Sequence, residues 1–466
     1  MLTYTLDKEN GSLYKQLYEL IKNDVNTGKL SSGEKLPSKR GLADNLGIST
    51  ITVENAYDQL IEEGYIYALS KKGYFVSDVE DIKKIQKREV VDAHINIAPA
   101  PEYAFDLSSN LTDKECFPFS VWAKVMRETL SNRERELLTV SPSAGIYELR
   151  LAISKHLSSF RNMQVDPNQI VVGAGTEYLY SLLFKLLGEK KVYCIENPGY
   201  KKLLNIYESN GLCCRLASVD DKGIVIEELK NTNADVAHIS PTHHFPTGIS
   251  MPISRRFSLL AWASEKEGRY IVEDDYDSEF RLNGKPIPTL QSIDAEEKVI
   301  YMNTFSKSLS SSVRISYMVL PKHLANKFYE TLSFYSCTLS TFEQYQLASF
   351  ISEGYFEKHI NRMRLHYKRK RERILELINR AFLNDEVKVI ENDSGLHFIL
   401  EFKTSLSDKE VKRRLYERKI RMDSISDFDM SGRESMPHQF IVNYSNIDLT
   451  SFEEVLGIIR ELIFRS

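Results

Sequence analysis

Lys307 stands in the run Thr304-Phe305-Ser306-Lys307, with Arg314 seven residues later and Asp274-Asp275-Tyr276 about thirty residues before. An acid, a tyrosine, a lysine and an arginine in this order are the groups a chain needs to hold pyridoxal phosphate. Lys307 is the candidate catalytic residue, because its amine can form a Schiff base, the internal aldimine, with the cofactor aldehyde. Asp274 can pair with the ring nitrogen and keep it protonated, so that the ring acts as an electron sink. Tyr276 can hydrogen-bond the phenolate oxygen of the ring. Arg314 can grip the phosphate through two parallel hydrogen bonds, with Thr304, Ser306, Gly175 and Thr176 around it. Tyr200, in Glu196-Asn197-Pro198-Gly199-Tyr200, reads either as a residue packed near the cofactor or as a core or turn tyrosine.

These residues need a scaffold, and the chain supplies one. From about residue 105, apolar β-type runs alternate with helix-length segments: Ile170-Val171-Val172, Val192-Tyr193-Cys194-Ile195, Val236-Ala237-His238-Ile239, Tyr270-Ile271-Val272, Val299-Ile300-Tyr301-Met302 and Ser316 to Leu320. Short, nearly continuous runs of this kind predict an α/β layer with a mainly parallel sheet. Such a sheet places ligands at the carboxyl ends of its strands. Gly173-Ala174-Gly175-Thr176, Glu273-Asp274-Asp275-Tyr276 and Thr304-Phe305-Ser306-Lys307 each follow one of these runs. Taken alone they read as a glycine turn, a solvated acidic turn and a surface lysine; at successive strand ends they read as one site. After about residue 325 long helical stretches dominate, and Val387 to Ile390 and His397 to Phe402 predict a small α+β domain from about residue 380.

At 466 residues two or three domains are expected. Hydrophobic content of 42% and charged content of 27% describe an ordinary globular chain. The net charge of −4 gives no whole-chain attraction to nucleic acid or anionic membrane. Five cysteines without a C-x-x-C pair argue against a disulfide framework or metal site and for a reducing cytoplasm. No signal peptide and no transmembrane-length apolar run is read, so no membrane partner is expected.

The head of the chain is of another kind. Leu13, Leu17, Leu20, Ile21 and Val25 recur at helical spacing. Ser38 is the expected N-cap of a second helix that stops at Gly47, and Ser49 that of a third with an apolar stripe through Val53, Ala56, Tyr57 and Leu60. Tyr65-Ile66-Tyr67 and Tyr74-Phe75-Val76, joined through Ser70-Lys71-Lys72-Gly73, read as a hairpin. Three helices and a hairpin over residues 1–76 make a winged helix-turn-helix whose third helix enters the major groove of double-stranded DNA. Thr50, Thr52 and Asn55 are expected at base edges or phosphates, with Ser38 and Ser49 at the helix starts. Lys35, Lys39, Arg40, Lys71, Lys72 and Gly73 at the wing tip complete the expected DNA contacts. Residues 1–76 carry nine Lys/Arg against ten Asp/Glu, so affinity per module is modest and a homodimer on its operator is expected. Residues 77–104, with Ala98-Pro99-Ala100-Pro101, read as a linker.

Leu36-Pro37-Ser38-Lys39-Arg40, Leu46-Gly47-Ile48-Ser49, Ala56-Tyr57 and Glu63-Gly64-Tyr65 resemble the GntR-type winged helix. Residues 105–466 look like a fold-type I aminotransferase. Asn197-Pro198-Gly199-Tyr200, Phe245-Pro246-Thr247-Gly248, Met251-Pro252, Arg255-Arg256, Glu273 to Phe280 and Thr304 to Lys307 carry that likeness. Together they resemble the MocR-type regulators. The resemblance implies a fused transcription regulator, commonly a head-to-tail dimer, whose aminotransferase-like part senses PLP or an amine or amino acid effector. Four departures stand out. Gly41 replaces the glutamate of a capping box, and Glu54 stands where some relatives carry a basic DNA contact. Phe245-Pro246-Thr247-Gly248 lacks the asparagine of Asn-Pro-x-Gly, with His243 and His244 beside it. Phe440-Ile441-Val442-Asn443-Tyr444 lacks the arginine that grips a substrate carboxylate, leaving Arg421 or Lys202 as candidate effector contacts. A working aminotransferase with an accessory head, and a DNA-binding protein with a merely dimerising second half, are the competing readings. A dense Arg/Lys run from Arg362 to Arg373 is read as a solvated helix face.

Overall fold

The computed structural model describes residues 2–7, 11–78, 101–282, 287–383, 385–390, 394–432 and 436–464. Contacts divide the chain into two units, Met1–Ala100 and Pro101–Ser466. Most of the expected linker, residues 79–100, lies outside the described residues.

In the first unit, α1 (Leu13–Asn26), β1 (Lys35–Leu36), α2 (Lys39–Leu46), α3 (Thr50–Glu62), β2 (Ile66–Leu69) and β3 (Gly73–Val76) follow in order. The expected caps form. Ser38 accepts a hydrogen bond from the Gly41 amide at 3.1 Å, so this half of the capping box survives without the glutamate. Ser49 accepts from the Thr52 amide at 3.2 Å. Gly47 closes α2 at φ 65°, a left-handed conformation that costs glycine nothing. Leu17, Ile21, Val53, Ala56, Tyr57 and Leu60 close one core with Ile66 and Val76. The hairpin β2–β3 gains a third strand that the sequence reading did not include: β1 pairs antiparallel with β3, Lys35 opposite Phe75.

The second unit opens with β4 (Phe105–Asp106) and builds its main sheet from β5 (Ile170–Gly173), β6 (Val192–Asn197), β7 (Cys213–Asp220), β8 (Gly223–Ile224), β9 (Val236–Ile239), β10 (Tyr270–Asp274), β11 (Val299–Thr304) and β12 (Ser316–Val319). The order is β5-β12-β11-β10-β9-β6-β7-β8. The pairs β11–β10, β10–β9, β9–β6 and β6–β7 are parallel. β12 runs antiparallel to both neighbours, and β8 antiparallel to β7. Alternate residues feed different cores, as a pleat requires: Ile300 and Met302 pack with the helix Thr176–Leu187, whereas Tyr301 packs with the helices Tyr147–Arg161 and Thr341–Ser352. The helix Thr176–Leu187 buries Leu179, Leu182, Leu183 and Leu186. At roughly 1.5–3 kcal/mol for each such side chain, packing fixes its N-terminus at the end of β5.

The small domain holds β13 (Val387–Ile390), β14 (His397–Phe402), β15 (Ile420–Arg421) and β16 (Gln439–Asn443). β13, β14 and β16 form an antiparallel sheet. β15 pairs in parallel with β4, Ile420 against Phe105. Besides the residues from about 380, the small domain takes in the first strand of the unit, because Leu107 and Cys116 share its apolar core. No helix among the described residues is long and apolar enough to cross a membrane.

Candidate functional site

A cavity of about 580 Å³ opens at the carboxyl ends of β5, β6, β9, β10 and β11. Every residue that the sequence assigns to the cofactor lines it: Gly175, Thr176, Tyr200, Asp274, Tyr276, Thr304, Ser306, Lys307 and Arg314. The two effector candidates, Lys202 and Arg421, line it as well. A parallel sheet brings these distant segments together because each loop leaves its strand at the same edge.

Asp274 ends β10, and its Oδ2 accepts a hydrogen bond from the Tyr180 hydroxyl at 2.8 Å. His238 Nε2 stands 3.7 Å from the same oxygen, while His238 Nδ1 is 2.8 Å from the Tyr207 hydroxyl. Asp274 Oδ1 is buried with no hydrogen-bond partner among the described residues. A buried, unpaired carboxylate oxygen facing a cavity calls for a donor from a ligand, and the protonated nitrogen of a pyridine ring is such a donor.

At the other end of the cavity the backbone makes a cradle. Gly175 has φ +91°, and a Cβ placed there would stand 2.7 Å from Arg314 Nη2. Only glycine leaves room for an anion to approach this backbone and the guanidinium together. Thr304 Oγ1, Ser306 Oγ and Ser316 Oγ form a hydroxyl chain with separations of 2.9 Å. Arg314 Nη2 lies 3.3 Å from Glu177 Oε2. The residues present thus fit pyridoxal phosphate at both its ring nitrogen and its phosphate.

Lys307, on the short helix Phe305–Ser308, donates to the Asn110 carbonyl. Burial pushes its pKa down to about 8, against the pull of Asp277. A lysine near neutrality is a competent nucleophile toward an aldehyde. Tyr276 has its hydroxyl 3.4 Å from His243 Nδ1, and that nitrogen is also 2.8 Å from Asp277 Oδ2. His243 therefore stands beside the expected ring contact, whereas His244 is turned to Thr247 Oγ1 at 2.7 Å and held down to about 3 by burial. Arg421 is engaged by Asp106 at 3.4 Å and Asp423 at 3.1 Å. Asn443 donates to Asn110 Oδ1 at 2.9 Å.

Several residues of the site were not singled out from the sequence. Tyr180 and His238 read as ordinary core positions of a helix and a strand. Glu196 lines the cavity with Oε1 unpartnered, and burial pushes its pKa up to about 8. Beneath the site Glu273 and Glu279 are raised to about 7 and about 8 by burial. Asp275 pairs with Arg161 at 2.6 Å, both side chains 1% exposed. Apart from the cavity, donor atoms of Asp113, Cys116 and His366 lie within 4.8 Å of one another, a grouping the sequence did not suggest. Lys370 Nζ, 3.0 Å from Asp113 Oδ2, already supplies positive charge there.

In the head, Lys35, Ser38, Arg40, Ser49, Thr50, Asn55, Lys71 and Lys72 are exposed, and Thr52 and Gly73 half-buried. Lys39 differs from expectation: its ammonium is taken up by Glu54 at 2.8 Å and Asp58 at 3.1 Å.

The fold and the cavity define an aminotransferase-like chain carrying a winged helix. Residues 104–457 match the family aminotransferase class I and II, and residues 13–76 match the bacterial regulatory proteins of the gntR family. The chain is 38% identical over 415 residues to an uncharacterised HTH-type transcriptional regulator, YdeL of Bacillus subtilis, covering 89% of each. It is 30% identical over 465 residues to the probable rhizopine catabolism regulatory protein MocR of Rhizobium meliloti, covering 96% of this chain and 93% of that one. A kynurenine aminotransferase of Pyrococcus horikoshii superposes with a TM-score of 0.68 at 24% identity, over 78% of this chain and 92% of the other. The chain belongs to the MocR-type subgroup of GntR-family regulators, in which the winged helix is fused to an aminotransferase-like domain.

Proposed function

We propose that the protein is a pyridoxal-phosphate-dependent, DNA-binding transcription regulator whose second unit senses an amine or amino acid effector, or the cofactor itself, at Lys307. The observation that carries this reading is the joining of Lys307, the open oxygen of Asp274 and the Gly175–Arg314 cradle in one cavity, in a chain headed by a winged helix. When bound, the cofactor supplies an aldehyde carbon with which amines condense. Lys307 would hold the aldehyde carbon, Asp274 would keep a proton at the ring nitrogen, Tyr276 would orient the ring and Arg314 would anchor the phosphate. An effector bound beside Lys307 would alter DNA affinity to the extent that it favours one conformation of the chain over another.

Two copies of the chain act together on DNA in this reading. Phe119, Leu138, Val140 and Phe334 are 72%, 84%, 82% and 77% exposed. In this reading a second copy covers these exposed apolar side chains, which is what a contiguous apolar patch would call for. Sedimentation of the full chain tests the dimer.

The purified protein is expected to show a visible absorbance band that Lys307→Ala abolishes, and to shift DNA from its own promoter region. Absence of the shift removes the regulator reading, and absence of the band removes the cofactor. Turnover as an aminotransferase is the second reading, because Arg421 lines the cavity. Its engagement by Asp106 and Asp423 weighs against a free carboxylate grip. Steady transfer of an amino group from a donor amino acid to a keto acid decides for it.

A further inference from the structure

Glu177 stands at the second position of the helix Thr176–Leu187, inside the same cavity. An acid in the first turn stabilises a helix, and that accounts for the residue type. It does not account for its partners. Oε2 lies 3.3 Å from Arg314 Nη2, and Oε1 is bonded by Lys202. Arg314 is the guanidinium that faces the Gly175 cradle, so a phosphate bound there must share it with a carboxylate already in contact. A dianion beside that carboxylate is repelled, and Lys202 offsets the repulsion.

We infer that Glu177 sets the affinity of the cavity for phosphate-bearing ligands, by competing for Arg314 under the control of Lys202. The inference rests on reading the cavity as a cofactor site. It gives the arrangement a purpose. Arg314, Lys202 and Glu177 together carry one net positive charge against a phosphate of two negative charges, so the cofactor is held less tightly than the arginine alone would hold it. A chain that must respond to the supply of cofactor, or release it to an effector, needs such a moderated grip. The arrangement also couples Lys202 to the phosphate grip. An effector carboxylate that takes Lys202 leaves Glu177 to Arg314 and loosens the phosphate, so acidic effectors and the cofactor oppose each other.

The test titrates full-length wild type, Glu177→Gln and Lys202→Met with pyridoxal phosphate, pyridoxal and inorganic phosphate, following protein fluorescence or heat. Glu177→Gln should bind pyridoxal phosphate about fivefold more tightly, the upper end for partly exposed ion pairs. Lys202→Met should bind it more weakly by a similar factor. Pyridoxal should bind all three proteins alike, inorganic phosphate should follow pyridoxal phosphate, and the differences should shrink with added salt. Equal affinity of wild type and Glu177→Gln for pyridoxal phosphate overturns the inference, and so does an equal gain for pyridoxal, which would show a general change of shape. Wild type that binds no pyridoxal phosphate overturns the cofactor reading itself.

Discussion

Lys39 on α2 and Glu54 on α3 are joined by an ion pair of 2.8 Å, and Lys39 reaches Asp58 as well at 3.1 Å. Thr50, Glu54 and Asp58 follow one another at spacings of four and so share a helix face. Two acids on the helix expected to approach DNA would repel phosphates; the ammonium of Lys39 cancels part of that charge. If Lys39 serves DNA binding by neutralising these acids, it does so through its neighbours. Lys39→Ala should weaken DNA binding about tenfold at low salt, and adding Glu54→Gln should restore most of it. A lost phosphate contact would stay lost in the double variant, so electrophoretic or fluorescence titration of both proteins separates the two roles.

The hydrogen bond from Tyr180 to Asp274 is 2.8 Å long and partly buried. Tyr180→Phe leaves Asp274 with both oxygens short of a donor. Bonds to charged groups contribute roughly 1.5–3 kcal/mol, so the ligand-free protein should lose about that much stability in urea. Pyridoxal phosphate, by giving Asp274 a new partner, should recover part of the loss. A variant as stable as wild type would show that the bond holds nothing in place.

Lys307 carries a lowered pKa of about 8 because burial penalises its charge. An unfolded lysine titrates at about 10.4. Below pH 8 both states are protonated and the fold bears the full burial penalty; between about 8 and 10.4 the folded lysine sheds its proton first, and stability rises; above that window the penalty is gone. Lys307→Met should therefore melt higher than wild type at pH 7 without ligand, with the difference closing toward pH 10. Calorimetry across this range checks it. For the same reason, condensation of wild type with pyridoxal should speed up through pH 8.

Arg161 and Asp275 lie 2.6 Å apart with their side chains 1% exposed, and the Tyr301 hydroxyl adds a 2.7 Å bond to the same carboxylate oxygen. Removing one member of such a pair leaves an uncompensated buried charge. Arg161→Leu should cost about 3–5 kcal/mol, enough to lower the soluble yield. A denaturation midpoint unchanged from wild type would count against this account.

Much of the site was legible because its residues follow strands. Asp274, Thr304 and Gly175 each come at or just after the end of an apolar run, and a parallel sheet leaves them no other place to meet. Tyr180 was not legible. It sits among Leu179, Leu182 and Leu183 on a helix, where an aromatic residue reads as core, and only the packing of that helix against the sheet turns its hydroxyl to Asp274. The short strands were missed for a related reason. Lys35-Leu36 and Phe105-Asp106 carry no period of their own; each becomes a strand because a distant partner, Phe75 or Ile420, offers it backbone hydrogen bonds. β7 alternates between exposed and covered residues at the edge side of the sheet, unlike the fully buried runs by which the others were recognised. The ion pairs of Lys39 were not legible because its partners lie fifteen and nineteen residues away on another helix.

The pairing of β4 with β15 has a bearing on how the protein comes into being. Among the described residues the head closes its core with nothing later than Val76, so it can fold while most of the chain is still being translated. The second unit cannot do this. Phe105 must wait for Ile420, and Asp106 for Arg421, before the mouth of the cavity has both its sides. The winged helix thus emerges from the ribosome well ahead of the completed aminotransferase-like unit. A message cut short before residue 420 would yield a winged helix followed by a second unit that lacks the partner of its first strand.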